Sequence, residues 1–538
     1  MERGYDYIVA GAGSAGCVLA NRLSADPAAR VLLIEAGGRD WDPLIRVPLF
    51  AGIYYRTKVH NWAYLTEPEP HLDNRRIEWP RGKVLGGSSA INGMVYTRGN
   101  RYDYDNWAQL GLREWSYEKL LPFFKSFEDF EDGENDFHGA GGELPVTTPK
   151  TPWPLFDTFI DAGKQMGMPF NADFNGESQD GVGRYHTSSS GGERWSTARA
   201  FLDPARARPN LDIVTRASIL RVIVENGRAC GIEILAQGMK VEIAADREVI
   251  VACGTISSPT VLMHSGIGPA TELRRLGIAV AADSPGVGKN LQDHLNLRLE
   301  YTSSQEDPLF GLRRWDRAAL AIAQALIFKS GPAAAFPLQA GAFLRSREGL
   351  EAPDIQFHFL PGVSSGRIRG LFLKTPPGIY EGWGLSCNVC HLRPESRGSI
   401  TLRNADPLER PAIQANYLAA PADRIAIREG VKMCREIFAQ AAFEHVRGRE
   451  TVPGSVVQSD EEIDAFIRRT AGSIYHPVGT CRMGVDEASV VDEELRVRGV
   501  EGLRVVDASV MPALVSANTN APTIMIAEKG ASLIRKAA

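Results

Sequence analysis

What this chain of 538 residues has little of narrows its function first. It has no basic excess: 60 lysines and arginines stand against 65 aspartates and glutamates, for a formal net charge of −5. With a pI near 6.1 and no polybasic tail, nucleic acid is not an expected partner. It is poor in cysteine, with seven, an odd number, scattered at Cys17, Cys230, Cys253, Cys387, Cys390, Cys434 and Cys481. Such a spread reads as reduced core thiols in a cytoplasmic protein rather than a disulfide framework. Long hydrophobic runs are missing too. The longest helical apolar stretch, residues 318–328, falls well short of the roughly 20 residues a membrane span needs. The first residues run straight into a strand pattern, with no room for a signal peptide. Low-complexity linkers and internal repeats are absent. The expectation is a soluble, cytoplasmic protein, with peripheral contact on the inner face of the cytoplasmic membrane kept as an alternative.

What is present looks like an enzyme. A composition of 44% hydrophobic and 23% charged residues is ordinary for a globular protein. Single cores stop growing at about 250–300 residues, so two domains are expected. Strand and helix patterns alternate at the start, which indicates α/β architecture with a parallel sheet. Tyr5–Ala10 reads as a strand, Ser14–Leu23 as a helix and residues 30–35 as a second strand. A similar unit follows at 248–252, leading through Gly254 to a helix near 259–265, with Ser258 as its cap and Pro259 in its first turn. A third is a strand at 503–507 before a helix over about 522–534. Between them, from about 310 to 465, alternating strand patterns at 354–360, 385–391 and 399–402 mix with helical stretches. The nucleotide-binding segments are therefore dispersed, with a substrate-binding part inserted between them.

Gly11-Ala12-Gly13-Ser14-Ala15-Gly16 fits G-x-G-x-x-G between strand and helix. The glycines allow a tight turn, close backbone approach to a pyrophosphate and close helix–strand packing. The helix N-terminus then offers free N–H groups and partial positive charge to phosphate. Glu35 closes the second strand 35 − 13 = 22 residues after the middle glycine, near the place of an acid that binds ribose hydroxyls. This loop alone does not separate FAD from NAD.

Four further stretches carry a family resemblance. They are Arg81-Gly82-Lys83-Val84-Leu85-Gly86-Gly87-Ser88-Ser89-Ala90-Ile91-Asn92-Gly93-Met94-Val95, the segment 254–268, His476-Pro477-Val478-Gly479-Thr480-Cys481-Arg482-Met483-Gly484, and Val505-Val506-Asp507-Ala508-Ser509. Together the chain resembles the glucose–methanol–choline (GMC) oxidoreductases over essentially its whole length. Residues 356–361 and 518–523 look like the bacterial FAD-dependent alcohol dehydrogenases related to choline dehydrogenase. The resemblance implies an α/β, Rossmann-type FAD-binding domain assembled from 1–155, 206–300 and 469–538. It also implies an α+β substrate-binding domain from 156–205 and 301–468.

Carried over residue by residue, the resemblance places FAD pyrophosphate and ribose on Gly11, Gly13, Ser14, Ala15, Gly16 and Glu35. It lays the flavin against Val84, Asn92, Gly93, Met94 and Val95, puts Ile219 by the adenine, and brings Asp507 and Ala508 to the cofactor. The helix at Pro522 would aim its N-terminus at the flavin pyrimidine ring, where reduction builds negative charge.

Alcohol oxidation by flavin moves a hydride from carbon and a proton from the hydroxyl, and an imidazole suits the proton step. Of ten histidines, His476 stands in the family's catalytic position, while His264, His294 and His358 are given structural roles. Asn520 is its expected partner; an amide donates a hydrogen bond but takes no proton, which leaves His476 as sole base. Where relatives with covalent flavin carry a histidine this chain has Ile91, so the FAD is expected to be non-covalent. Gln339 stands where choline oxidisers place a glutamate, and a neutral amide gives a buried cation no counter-charge. A small uncharged alcohol is therefore the expected substrate, with Gln339 and Tyr475 beside it and a quinone, a carrier protein or oxygen as electron acceptor. An oxidase, a flavin-containing lyase and a non-enzymatic flavoprotein are the competing readings.

No metal is expected. Cys387 and Cys390 fit C-x-x-C, but i and i+3 on a strand face opposite ways. Residues 286–290 imitate a fragment of a P-loop without its spacing. The basic, aromatic stretches 309–315 and 367–374 are where a membrane surface would be met, or else form a channel rim.

Overall fold

The structure is a computed structural model that describes residues 4–151, 153–363 and 382–537. Two seven-stranded sheets organise it. In the first, Leu211–Thr215, Val31–Glu35 and Tyr5–Ala10 lie parallel, in that order, and Tyr5–Ala10 pairs in parallel with the far half of the long strand Met239–Val251. That half also takes Leu503–Val505 as a parallel neighbour. The near half pairs antiparallel with Arg228–Ala236, which pairs with Ala217–Glu225. Val31–Glu35 is buried throughout, as continuous apolar runs are when helices cover both faces of a parallel sheet. One of the covering layers joins the two ends of the chain. Helix Ser14–Leu23 lies against helix Asn520–Ala537, where the Arg22 guanidinium donates to Glu528 at 2.7 Å.

The second sheet is antiparallel, in the order Arg447–Val452, Leu295–Ser303, Gly384–His391, Ile355–Leu360, Ala340–Leu344, Gly181–Arg184, with Gly472–Ser473 added on Leu295–Ser303. Strict alternation gives its strands two faces. Leu295, Leu297, Leu299, Leu385, Val389, Ile355, Phe357 and Phe359 belong to one buried apolar cluster, and Phe159 of helix Pro154–Gln165 stacks on Phe359 at 4.8 Å. The other face carries a polar row, since Arg298 pairs with Asn388 and Asn388 with His358.

Three expectations change here. The helix expected near 259–265 starts earlier, at Gly254, and runs to His264, so Pro259 lies inside it. A proline has no N–H for the carbonyl four residues back; that carbonyl, of Thr255, instead accepts the Thr480 hydroxyl at 2.6 Å. Ser258 does not cap the start: its hydroxyl donates to Asp507 at 2.6 Å. Finally, the second sheet takes in Leu295–Ser303 and Gly472–Ser473, both reaching into segments the sequence assigned to the nucleotide unit, because the two strands need each other's backbone groups.

Among the described residues, no helix is long and apolar enough to cross a membrane. Helix Trp315–Phe328 exposes Leu320, Ile327 and Phe328; the stretch 367–374 lies outside the described residues. Cys387 and Cys390 are free and buried.

Candidate active site

A single cavity of about 1140 Å³ runs from the glycine loop to the polar face of the second sheet. At the loop, Gly11 has φ +104°, and a Cβ there would lie 2.5 Å from the Ala252 carbonyl oxygen. A Cβ on Gly16 would come within 1.8 Å of the Gly11 carbonyl oxygen, whereas one on Gly13 would meet nothing within 4 Å. Gly16 thus serves helix–strand packing, and Gly13 opens onto the cavity beside Ser14 and Ala15. Gly13 also offers no side chain to cap helix Ser14–Leu23, so first-turn amides are left for an anion. Glu35 lines the same end and accepts the N–H groups of Ala12 at 3.1 Å and Gly37 at 2.8 Å. Burial pushes its pKa up to about 7, against the pull of those amides. Ile219 lines the wall as well. Asp507 accepts the Gly254 N–H at 2.8 Å and so ties together the chain leaving two neighbouring strands.

Asn92, Gly93, Met94 and Val95 form the middle of the cavity wall, next to Ile91. Asn92 accepts from Arg194 at 2.7 Å and from the Met94 N–H at 3.1 Å, which holds Met94 at φ +60°. Two expected cofactor contacts differ. Val84 is packed with Ile45, Tyr54, Ala90 and Ile91, because the turn directs it into that cluster. Pro522 is buried in the first turn of the last helix, and the wall is made by Asn518, Thr519, Asn520 and Thr523.

At the far end stands His476, buried at 8% exposure. Its backbone N–H donates to Asp293 at 2.7 Å, and the same carboxylate accepts from Ser473 at 2.5 Å and from Tyr417. The Asn518 amide sits 3.3 Å from His476 Nε2. Its orientation follows from its other partners: Thr97 Oγ1 at 3.1 Å and Gln356 Nε2 at 3.4 Å both donate to Asn518 Oδ1. Asn518 Nδ2 therefore donates to Nε2 of His476, whose lone pair lies at the cavity wall. Burial first, then His294, His358 and Arg81 nearby, pull the His476 pKa well below the usual imidazole range. The ring is neutral at ordinary pH.

The expected partner Asn520 is not the one beside His476. It is the first residue of its helix, and its Oδ1 accepts the Ser14 hydroxyl at 2.7 Å, which turns it to the nucleotide loop. Asn518 lies in the extended chain before that helix and reaches the imidazole instead. Gln339 is likewise misplaced: its Nε2 donates to the Phe336 carbonyl at 3.0 Å, its Oε1 accepts from Thr151, and Leu338 and Phe336 occupy the wall. Charged groups of both signs do line the cavity, Arg81 and Arg298 with Glu78 and Glu409. Tyr475 lines it too, at φ +73°, with its carbonyl held by Arg81 at 2.6 Å. His358, given a structural role from sequence, lines the cavity with neither ring nitrogen partnered; burial pulls its pKa to about 3. Its signal was present in the alternation of Ile355–Leu360, which puts His358 on the polar face opposite Asn388.

The residues fit FAD: an uncapped helix start with an open glycine at one end, and small residues along the middle wall. Comparison with known proteins agrees. The GMC oxidoreductase family models match residues 5–296 and 394–527. The oxygen-dependent choline dehydrogenase of Sinorhizobium fredii (strain NBRC 101917 / NGR234) is 46% identical over 533 residues, covering 98% of this chain and 95% of that protein. The alcohol dehydrogenase [acceptor] of Pseudomonas putida is 46% identical over 535 residues, with the same coverage. Among solved structures, pyridoxine 4-oxidase from Mesorbium loti superposes with a TM-score of 0.88 at 32% identity, over 99% of both chains. A formate oxidase of Aspergillus oryzae RIB40, in a study of FAD modification, gives 0.90 at 28% identity over 99% of this chain and 98% of that one.

Proposed function

The chain belongs to the GMC oxidoreductase family and is an FAD-dependent oxidoreductase, and from that premise we propose that it oxidises an uncharged, primary alcohol to the aldehyde and passes the electrons to a quinone or another carrier. The observation that carries this reading is the buried, neutral His476 with its Nε2 lone pair at the cavity wall beside the Asn518 amide. His476 takes the hydroxyl proton at Nε2 when the bound alcohol displaces the Asn518 N–H from that lone pair. Asn518 Nδ2 and the unpartnered ring of His358 hold the substrate oxygen by hydrogen bonds. FAD, when bound, supplies the acceptor for the hydride leaving the carbinol carbon. The amides at Gly13, Ser14 and Ala15 would hold its diphosphate, and Asn92 to Val95 its ring system. Arg81 and Arg298 disfavour a quaternary ammonium at this end by like charge, and Glu78, near Tyr475 on the same wall, offsets them only in part.

A relative named alcohol dehydrogenase [acceptor] favours a carrier, while the equally similar relative named oxygen-dependent choline dehydrogenase makes oxygen the second reading. A panel of primary alcohols, assayed in parallel for reduction of an artificial dye and for hydrogen peroxide, tests the proposal. Dye reduction without peroxide is the expected result; peroxide would make the enzyme an oxidase, and neither signal would remove alcohol oxidation altogether. Ile91 at the wall offers no nucleophilic nitrogen, so the FAD is held non-covalently. Acid precipitation is expected to leave the yellow colour in the supernatant, and flavin remaining in the pellet would contradict it.

A further inference from the structure

His294 lies directly behind His476, with the two Nδ1 atoms 3.0 Å apart. Its other ring nitrogen, Nε2, is 3.0 Å from the Leu392 carbonyl oxygen. A carbonyl only accepts, so Nε2 of His294 carries a hydrogen. Burial pulls the pKa of this ring to about 3, with His391, Arg393 and His358 nearby adding to the effect and the Leu392 carbonyl opposing it. A neutral ring with its hydrogen on Nε2 has a lone pair on Nδ1. That lone pair faces Nδ1 of His476, and two lone pairs at this distance would repel, so Nδ1 of His476 must be the donor. Nε2 of His476 is then bare. Asn518, on the opposite side, presents an N–H to the same Nε2 at 3.3 Å and reaches the same assignment independently.

We propose that His294 is the positioning residue of the reaction: it relays the hydrogen-bond direction of the Leu392 carbonyl to His476 and so fixes the tautomer in which Nε2 is the base. This rests on the reading of His476 as that base. Neighbouring residues divide the work of holding it, since Asp293 grips the backbone N–H of His476 while His294 grips its ring. A carboxylate in the place of His294 would fix the same tautomer but would raise the basicity of His476 and favour its protonated form. A neutral imidazole orients without that effect.

Three variants separate orientation from mere space filling. In His294→Asn, Oδ1 stands near the place of Nδ1 and can accept from His476. In His294→Gln, the amide stands near the place of Nε2 and restores only the Leu392 contact. His294→Leu restores neither. Orienting groups that fix a catalytic imidazole's tautomer are worth up to about 10⁴ in kcat. The expected result is His294→Asn within roughly tenfold of the parent, with Gln and Leu down roughly 10²- to 10⁴-fold in kcat. KM, flavin content and thermal midpoint should stay near the parent's in all three. Equal kcat values across the three variants, whether high or low, would overturn the relay, as would Gln outperforming Asn. A parallel His476→Ala preparation keeps the failures apart: activity surviving there overturns the base, and inactivity there alongside three normal His294 variants overturns only the relay.

Discussion

His476→Ala loses turnover by a factor of at least ~10³ while its flavin stays bound. General-base catalysis by a positioned side chain contributes typically 10²–10⁴ in rate, and of the other polar groups at this end of the cavity only His358, whose ring nitrogens have no partner among the described residues, is an imidazole free to take a proton. Asn518 is an amide, His294 is held by Leu392, and Asp293 is engaged by Ser473, Tyr417 and the backbone of His476 itself. Flavin retention is expected because His476 makes no contact with the glycine loop. The flavin spectrum with dye-linked turnover is the measurement, and activity within tenfold of the parent would remove His476 from the role. The same residue sets the pH dependence. A base with a depressed pKa is unprotonated above that value and is lost only as pH falls through it. So kcat/KM should run level from about pH 6 to 8, with no ascending limb near the ordinary imidazole value of about 6.5. A limb centred there would show that His476 titrates as if exposed.

Arg98→Met costs about 3–5 kcal/mol of stability, the penalty for leaving a buried charge without its partner. Arg98 and Glu128 are 1% and 0% exposed and directly paired. Glu128 also holds Nδ1 of His138 at 3.1 Å, and Nε2 of His138 meets Asp173 at 2.9 Å. Burial alone would push Glu128 up; Arg98 and His138 outweigh it and leave its pKa below the usual carboxylate range. Its contribution to stability is thus present above the unfolded value of about 4.3 and lost as pH falls through the folded one. His138 goes the other way. Burial lowers it, but Asp173 and Glu128 raise it further, so its contribution is present below about 6.5 and lost as pH rises through the folded value. The cluster as a whole therefore contributes most in mildly acid solution, but the deficit of Arg98→Met in urea unfolding should grow as pH rises, because His138, whose charged form Arg98 disfavours, then no longer compensates Glu128. A loss below about 1 kcal/mol would mean that water or relaxation compensates Glu128. Adding Glu128→Gln to Arg98→Met should return part of the loss, because the uncompensated charge is then gone.

The parts of this molecule written in local order were legible in the sequence. The strand Tyr5–Ala10 and helix Ser14–Leu23 follow from an apolar run, a glycine turn and a helical repeat, and they stand at those residues. The polar face of the second sheet is already present in the alternation of Leu295–Ser303 and Ile355–Leu360. What escaped depends on how distant segments meet. Asn518 and Asn520 are two residues apart and alike in chemistry. Only the point at which the last helix begins decides which reaches His476 and which turns to Ser14. His294 precedes His476 by 182 residues, and nothing local to either announces the contact. Gln339 looked like a cavity residue by analogy of position, but Thr151, far away in the chain, draws its amide aside. Pro259 seemed to mark a helix start, because the hydroxyl that replaces its missing hydrogen bond comes from Thr480.

The first sheet has a consequence for biosynthesis. Tyr5–Ala10 and Met239–Val251 can pair as soon as both have been made, but Leu503–Val505 and the helix Asn520–Ala537 that cover them come at the far end of the chain. At about 5–20 residues per second, on the order of 25–100 s separates synthesis of the first strand from synthesis of the last. The apolar flank of helix Ser14–Leu23 is bare through that interval and the edge at Val249–Val251 is open for its second half, roughly 13–50 s, the two kinds of surface that invite wrong pairing and chaperone binding. The pocket wall includes Asn518, Thr519, Asn520 and Thr523, so capture of the cofactor waits for the helix Asn520–Ala537 to be made and to dock.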